Sequence, residues 1–432
     1  MTIATAPHRL WRNRRYLTWL VSDTSKGLAA SLFAFAIPLL ALIVTNDPAQ
    51  AGIIGGAGMV ARLLMTLVGG ILADRHRRIL LMLLGSLLGI LLAGAFTLLA
   101  LADALTFGSL LVIDVLLAAR SGLFDVAGES AIKEIVPDEA MGRAQAANQG
   151  RDAALQLAGG PIGGLLLGVG GWLVGVAMTV CHLVAAVTAW MLGREARRAG
   201  IVDAGAEADD AATAPAAAPN AWAELREGFT WLMSRPDLGG VLLIITTINL
   251  GFNAAITTVI YALQQDGYPE VLIGAMTAGV GAVMLVGALF APLLVPRFAA
   301  GRLAVIGLSI AAIGAIVVSM VTEPWAIVAV LGVAVLMIPA LNAAMMGYFM
   351  VATPTQLLGR ANSAAGVLGM GALPLAPLIA GFGLTWIGRE WTLLVCAGLC
   401  VLAVALALGN RALRALPVES RWAEHAKQYE SV

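Results

Sequence analysis

Nine ionisable side chains stand inside stretches that are otherwise apolar: Asp23, Lys26, Arg62, Asp114, Arg120, Asp125, Glu129, Arg151 and Asp152. On insertion scales a charge at mid-membrane costs at least about 2.5–3.5 kcal/mol, so such residues are usually paired or functional. Five are acids and four are bases, which leaves one carboxylate in excess. A carboxylate that is freed and paired in turn, as a cavity opens and closes, can take up and release a proton. Asp23 and Asp114 are the expected titrating acids, with Lys26, Arg62 and Arg120 as their basic counterparts. The plainer alternative is a set of static ion pairs, Asp23 with Lys26, and Asp125 and Glu129 with Arg151, locking helices together.

A second set of residues carries no charge. Asn249, Asn253 and Thr257 recur every fourth residue and share one face of a helix. With Asn342 and Asn362 they would form a neutral polar wall, and Met337, Met345, Met346 and Phe349 could supply adaptable contacts to a bulky ligand. The substrate-cavity candidates are therefore Asn249, Asn253, Thr257, Asn342 and Met346. His182 reads as a packed side chain. Cys181, Cys396 and Cys400 all lie in apolar stretches, where cysteine behaves as a small hydrophobe, and no disulfide framework or metal-ligand spacing is present. The loops are short and lack a clustered catalytic set, so an enzyme is not expected. No Gly-Lys-Ser/Thr phosphate loop occurs, which disfavours ATP as the energy source and leaves a proton gradient, with no cofactor.

The elements that must hold these groups are set by composition. Of 432 residues, 60% are hydrophobic and 12% charged, against about 25% charged in an average soluble protein. Apolar runs long enough to cross a hydrocarbon core of about 30 Å recur twelve times. They fall near 16–44, 50–73, 79–101, 105–130, 145–168, 172–193, 237–263, 271–295, 303–321, 325–351, 361–384 and 390–412. Continuous runs of Leu, Ala, Gly and Val are not the short alternating segments of a barrel, so the expected fold is an all-α integral membrane protein. The basic segment Met1 to Arg15 precedes a run of nearly thirty residues and reads as leading into a retained first span.

Loop charges orient the spans. Of the 26 Lys and Arg, 21 fall in one set of loops, only Arg389 falls in the opposite set, and the other four lie within spans. Positive residues stay on the cytoplasmic side, so both termini are expected there, in a bacterial-type inner membrane. One missed or invented span would scramble that division. Residues 194–220 turn rich in Ala, Asp, Glu and Pro, which suits a flexible cytoplasmic linker. The expected organisation is a six-helix bundle over 1–193, a linker over 194–235, a second six-helix bundle over 236–413 and a tail over 414–432. A weak repeat supports two halves: Pro137 opens a segment containing Gly142-Arg143-Ala144, and Pro354 opens one containing Gly359-Arg360-Ala361. Trp222, Leu225, Phe229 and Leu232 recur at near-helical spacing, as in a helix lying in the interface or one leading directly into the seventh span.

Gly70-Ile71-Leu72-Ala73-Asp74-Arg75-His76-Arg77-Arg78, between the second and third spans, closely resembles the G-x-L-A-D-R-x-x-R signature of the major facilitator superfamily. That resemblance implies two six-helix halves that rock about a midplane site. Gly70 would allow close helix approach, and Asp74, Arg75 and Arg78 would form a cytoplasmic gate, with Asp125 and Glu129 nearby. In such a fold the third and sixth helices of each half lie outside, and none of the nine intramembrane charges falls on them. Segments around Leu72, Val136 and Trp222 resemble the drug-efflux branch that includes macrolide efflux proteins and the enterobactin exporter. Leu116 and Arg120 carry the spacing of that family's fourth-span L-x-x-x-R. Gly159-Gly160-Pro161-Ile162-Gly163-Gly164 resembles the antiporter signature G-P-x-x-G-G, with its glycine pair one residue early, and Gly160, Pro161, Gly163 and Gly164 would be a pliable hinge. The resemblance implies proton-coupled efflux of a small amphiphilic compound, with import of a metabolite as the alternative and a membrane sensor as a further one. The partners it implies are the lipid bilayer, the substrate and protons, with no nucleic acid, and the carrier acting as a monomer.

Overall fold

The computed structural model describes residues 10–198, 221–354 and 357–429, apart from the side chains of Asp74, Lys133, Gly142, Gly359, Trp222 and a few neighbours. The first nine residues and the heart of the expected linker, 199–220, lie outside the described residues.

A hydrocarbon interior offers backbone groups no water, so each apolar run closes its own hydrogen bonds as a helix. In the first half these helices are α1 (Arg14–Thr45), α2 (Pro48–Arg75), α3 (Arg78–Leu101), α4 (Phe107–Ile135), α5 (Asp138–Val169) and α6 (Gly171–Arg198). After them come α7 (Ala221–Ser234), α8 (Gly239–Gln265), α9 (Glu270–Leu294), α10 (Ala300–Met320), α11 (Pro324–Val335), α12 (Ile338–Ala352), α13 (Leu358–Gly371), α14 (Leu375–Trp386) and α15 (Gly388–Gly409). Two short helices, α16 (Arg411–Ala415) and α17 (Trp422–Lys427), end the described chain.

Eleven stretches among the described residues are long and apolar enough to cross a membrane, with α11 and α12 joined in one span and α13 and α14 in another. The twelfth is α4, 29 residues long, which lies in sequence between two of those spans and carries Asp114, Arg120, Asp125 and Glu129. The fold is thus all-α with twelve spans. The turns after α1, α3 and α8 and at the start of α15 use residues that tolerate a left-handed backbone: Asn46 at φ 50°, Asp103 at φ 56°, Gly267 at φ 80° and Gly388 at φ 79°. The charged α4 starts at a capping box, in which Ser109 N–H donates to Thr106 Oγ1 at 3.3 Å and Thr106 N–H donates to Ser109 Oγ at 2.8 Å.

The helices gather into two compact units. One comprises α1, α2 from Ala57 onward, α3 to α6 and the turn Pro269–Gly274; the other comprises Asn46–Gly56 and the remaining helices. Within the first, α1 packs on α6, α5 and α4, and α3 packs on α6 and α4. Within the second, α8 packs on α15, α14 and α13, and α10 packs on α15 and α11. The pairings of α1 with α5 and α6 and of α3 with α4 and α6 are thus repeated by α8 with α13, α14 and α15 and by α10 with α11 and α15, as an internal repeat requires.

The amphipathic segment before the seventh span is a helix in its own right, separated from α8 by the turn at Arg235–Leu238. It lies against α13, where the Gly228 backbone meets the Arg360 carbonyl and Glu227 pairs with Arg360 at 2.7 Å. The tail is packed as well: Leu413, Leu416, Trp422 and Ala426 are buried.

Candidate functional site

Six of the nine intramembrane charges in the first unit join into one chain of alternating sign. Asp152 Oδ1 accepts from Arg151 Nη2 at 2.8 Å, and Arg151 Nη1 reaches Asp23 Oδ2 at 2.8 Å. Asp23 Oδ1 lies 3.1 Å from Lys26 Nζ, which lies 3.9 Å from Asp125 Oδ1. That same oxygen is 3.6 Å from Arg120 Nη1, while Asp125 Oδ2 accepts from Ser121 Oγ at 2.5 Å. Three acids balance three bases, and the run ties α5 to α1 and α1 to α4.

The chain fits because the helices around it leave room. A Cβ at Gly128 of α4 would stand 2.6 Å from Lys26 Nζ and 2.8 Å from Asp23 Oδ1. The carbonyl of Gly128 accepts from Trp19 Nε1 at 2.9 Å, and the indole of Trp19 lies under the Arg151 guanidinium at 5.7 Å, a cation–π contact. Arg120, buried, also donates from Nη1 to the Gly85 carbonyl at 3.3 Å. His182 is packed against Gly89 of α3, as a core side chain.

The other three charges, Asp114, Glu129 and Arg62, form no salt bridge among the described residues. Glu129 and Arg62 are exposed on α4 and α2. Asp114 differs, being only 4% exposed, and its Oδ2 has no hydrogen-bond donor. The carboxyl occupies space that exists because residue 58 of α2 is glycine; a Cβ there would collide with Asp114 Oδ2. The two expected titrating acids are therefore unlike, since Asp23 is held by two cations and Asp114 by none.

At the signature loop, Arg78 Nη1 meets Glu134 Oε1 at 2.9 Å and donates to the Ser130 carbonyl at 3.3 Å, while Arg78 Nε donates to the Ala73 carbonyl at 3.4 Å. The side chain of Asp74 lies outside the described residues, and Arg75 is exposed. Asp125 and Glu129 are not brought to Arg78; Asp125 belongs to the ion chain. Glu134, one turn or more beyond them on α4, holds the place they were expected to fill. Close approach of α2 and α4 is made at Gly69, which abuts the Gly122 and Leu123 backbone, whereas Gly70 has nothing within 4 Å of a built Cβ.

In α5, Pro161 sits inside an unbroken helix. Gly159 and Gly163 face Ser31 and Phe35 of α1, while Gly164 abuts the Glu270 carbonyl and the Gly160 carbonyl abuts Gly274, both at the start of α9. The glycines of the expected hinge are thus places of close helix packing on two faces of one helix.

The second unit contains a mostly apolar cavity of about 390 Å³, lined by Val241, Ile245, Asn342, Met345, Met346, Phe349 and Asn362 among others. Asn342 and Met346 are brought together as expected. Asn249, Asn253 and Thr257 do not line it; Thr257 Oγ1 donates to the Asn253 carbonyl and Asn253 Nδ2 to the Asn249 carbonyl, both at 2.9 Å, and Asn249 Nδ2 donates to the Gly369 carbonyl at 3.4 Å.

Asp237 and Tyr348, which also line this cavity, belong to a cluster not expected from the sequence. Asp237, fully buried, accepts from Arg235 Nε and Nη2 at 2.9 Å and from the Tyr348 hydroxyl at 2.5 Å. Burial pushes the Asp237 carboxyl up, but those hydrogen bonds win and hold it below the usual carboxylate range. Arg235-Pro236-Asp237, directly before a span, was the available signal. Among the described residues no three His, Cys, Asp or Glu side chains gather as a metal ion would need.

An acid–base chain inside one six-helix unit, a glycine-lined α5 and an apolar cavity in the second unit are features of a carrier, and comparison with known proteins decides which kind. Residues 24–373 match the Major Facilitator Superfamily. The chain belongs to that superfamily. As a Major Facilitator Superfamily protein it is a multi-pass membrane protein of a transporter family, and solved structures agree on the fold. It is similar to a bacterial homologue of the iron transporter ferroportin in its inward-facing state, with TM-score 0.69 and 14% identity, covering 92% of this chain and 98% of that one. It is also similar to a mutant of the nucleoside transporter NupG, with TM-score 0.64 and 11% identity, covering 91% of this chain and 100% of that one. No curated protein matches the sequence. At these identities the structural likeness speaks for the fold alone.

Proposed function

We propose that this protein is a proton-coupled secondary transporter that exports a small amphiphilic compound, such as a drug, a siderophore or a related metabolite, by alternating access. Asp114 carries the proposal: a buried carboxyl with no basic partner, on the helix that also bears Arg120 and Asp125. An ionised carboxylate left unpaired in hydrocarbon is costly and a protonated one far less so, so helix rearrangements that change its surroundings are coupled to proton binding. The ion chain is electrically balanced and suits a structural core beside that site. The apolar cavity with Asn342 and Asn362 supports an amphiphilic cargo, in which a few polar groups orient a largely hydrophobic body. The loop charges support a cell-membrane orientation with both termini in the cytoplasm.

Proton-linked uptake of a small polar metabolite is the alternative, favoured by the amide and hydroxyl stripe of Asn249, Asn253 and Thr257. The two differ in sign. Ratiometric pH measurement in proteoliposomes, with a panel of drugs, siderophores and metabolites added, separates them: proton movement opposite to the compound supports export by antiport. Movement in the same direction as the compound sinks that reading.

A further inference from the structure

Beyond transport, the second unit carries a basic cavity of about 540 Å³ between the α9–α10 turn and the C-terminal tail. Arg297 comes from the turn, Arg302 from the start of α10, Arg414 from α16 and Arg421 from the tail, and Glu424 is the single acid in the lining. All four guanidiniums are on exposed residues, and none makes a salt bridge among the described residues. Four cations gathered by separate chain segments repel one another, and an anion among them would relieve that repulsion.

The cavity is built rather than incidental. The N–H groups of Ala300 and Gly301, which open α10, donate to the carbonyls of Pro417 at 3.1 Å and Leu416 at 3.3 Å. A Cβ at Gly301 would collide with the Leu413 carbonyl, so the turn and the tail lie in close contact. Trp422 Nε1 donates to the same Pro417 carbonyl at 3.0 Å, and Trp422 packs edge-on against Tyr348 at 6.4 Å. Arg235 Nη2 donates to the Ala426 carbonyl at 3.5 Å. The tail is thereby pinned where it completes the ring of arginines.

We infer that this cavity binds a phosphate group, and that the group is the headgroup of an anionic phospholipid. Guanidinium forks match phosphate oxygens in geometry as well as charge. A turn joining two spans lies at the membrane interface, which favours lipid over a free phosphate compound. Beside the arginines, Phe298 is 46% exposed, and Leu293 and Leu289 along α9 are 50% and 77% exposed, an apolar track for an acyl chain.

The test uses the purified full-length protein, titrated with short-chain phosphatidylglycerol, short-chain phosphatidylcholine and inorganic phosphate, with binding read by native mass spectrometry. Arg302→Gln with Arg414→Gln removes two arginines of the ring, and Arg411→Gln, exposed and outside the lining, removes an equal kind of charge nearby. Phosphatidylglycerol should bind at least about tenfold more tightly than phosphatidylcholine, the double variant should lose about tenfold, and R411Q should change less than about twofold. Displacement by millimolar phosphate upholds the phosphate chemistry and moves the source to a soluble compound. Equal binding of the two lipids, or equal loss in R411Q and the double variant, overturns the inference. Should the double variant fail to fold, Arg297→Gln with Arg421→Gln carries the same comparison.

Discussion

The carboxyl of Asp114 on α4 fills the space left by the missing side chain of Gly58 on α2. A buried acid on one helix is accommodated by a glycine on its neighbour, so the α2–α4 contact and the ionisation of Asp114 bear on one another. Expected outcomes follow from this and from the chain of charges beside it.

Gly58→Ala adds a methyl where none fits. Helix propensity gains about 1 kcal/mol from Gly to Ala, but overpacking costs about 1–3 kcal/mol, so the variant should be destabilised or should displace Asp114. Gly70→Ala meets nothing within 4 Å and should keep or raise thermal stability. Adding Asp114→Ala to Gly58→Ala should restore much of the loss. Thermal unfolding in detergent of the two singles and the double reads this; additive effects of Gly58→Ala and Asp114→Ala would contradict the contact.

Asp23→Asn strips Lys26 and Arg151 of the acid they share. With Asp23 8% and Lys26 4% exposed, the loss should resemble the breaking of a buried pair, about 3–5 kcal/mol. The Asp152 side chain is 48% exposed, so Asp152→Asn should cost about 1 kcal/mol or less. Unfolding midpoints that rank the two variants the other way would deny the chain its structural role.

Span number and order are legible in the sequence because hydrophobic length and loop charge are local quantities. The partners of the charges are not. Asp23 and Arg151 meet across α1 and α5, and nothing near either residue marks the other. Arg78 was expected beside Asp125 and Glu129, but a helix advances its faces by about 100° per residue, and Glu134 is the acid that comes round to Arg78 while Asp125 turns to Lys26 and Arg120. Gly70 drew notice through the signature, while Gly58 and Gly69, which make the contacts, belong to no motif. The Asn249 stripe is a true helical face, yet its side chains bond mostly along their own helix.

The Arg78–Glu134 pair at the signature loop is partly exposed, at 21% and 16%, so Glu134→Gln should change stability by only about 1 kcal/mol. Its effect should fall on transport rate instead. Exchanging the charges, Arg78→Glu with Glu134→Arg, should recover more rate than either single change; no recovery would show that the contact is not what matters there.

Docking of the tail should weaken in mild acid. Burial lowers the affinity of His425 for a proton, with Arg235 adding to that and Asp237 opposing it, and Tyr348 and Tyr429 pack against its ring. In the folded state His425 thus stays neutral where an ordinary histidine, near pH 6.5, becomes charged, so stability is retained above that value and falls as pH drops below it. Asp237 contributes in the same sense but only in stronger acid, because its carboxyl is held low. Proteolysis of the Trp422–Lys427 segment should quicken from pH 7.5 to 5.5, and His425→Phe should flatten the dependence. A tail equally protected at both values would contradict the assignment.

The central claim is that Asp114 carries the coupled proton, and the most direct measurement is compound-driven proton flux in proteoliposomes containing Asp114→Asn. The amide nearly matches the carboxyl in size but cannot give up a proton, so the fold should persist and substrate should still bind, while coupled proton movement falls to the level of empty liposomes. Asp114→Glu should retain part of it. Proton flux in Asp114→Asn equal to that of the unaltered protein would remove Asp114 from the mechanism.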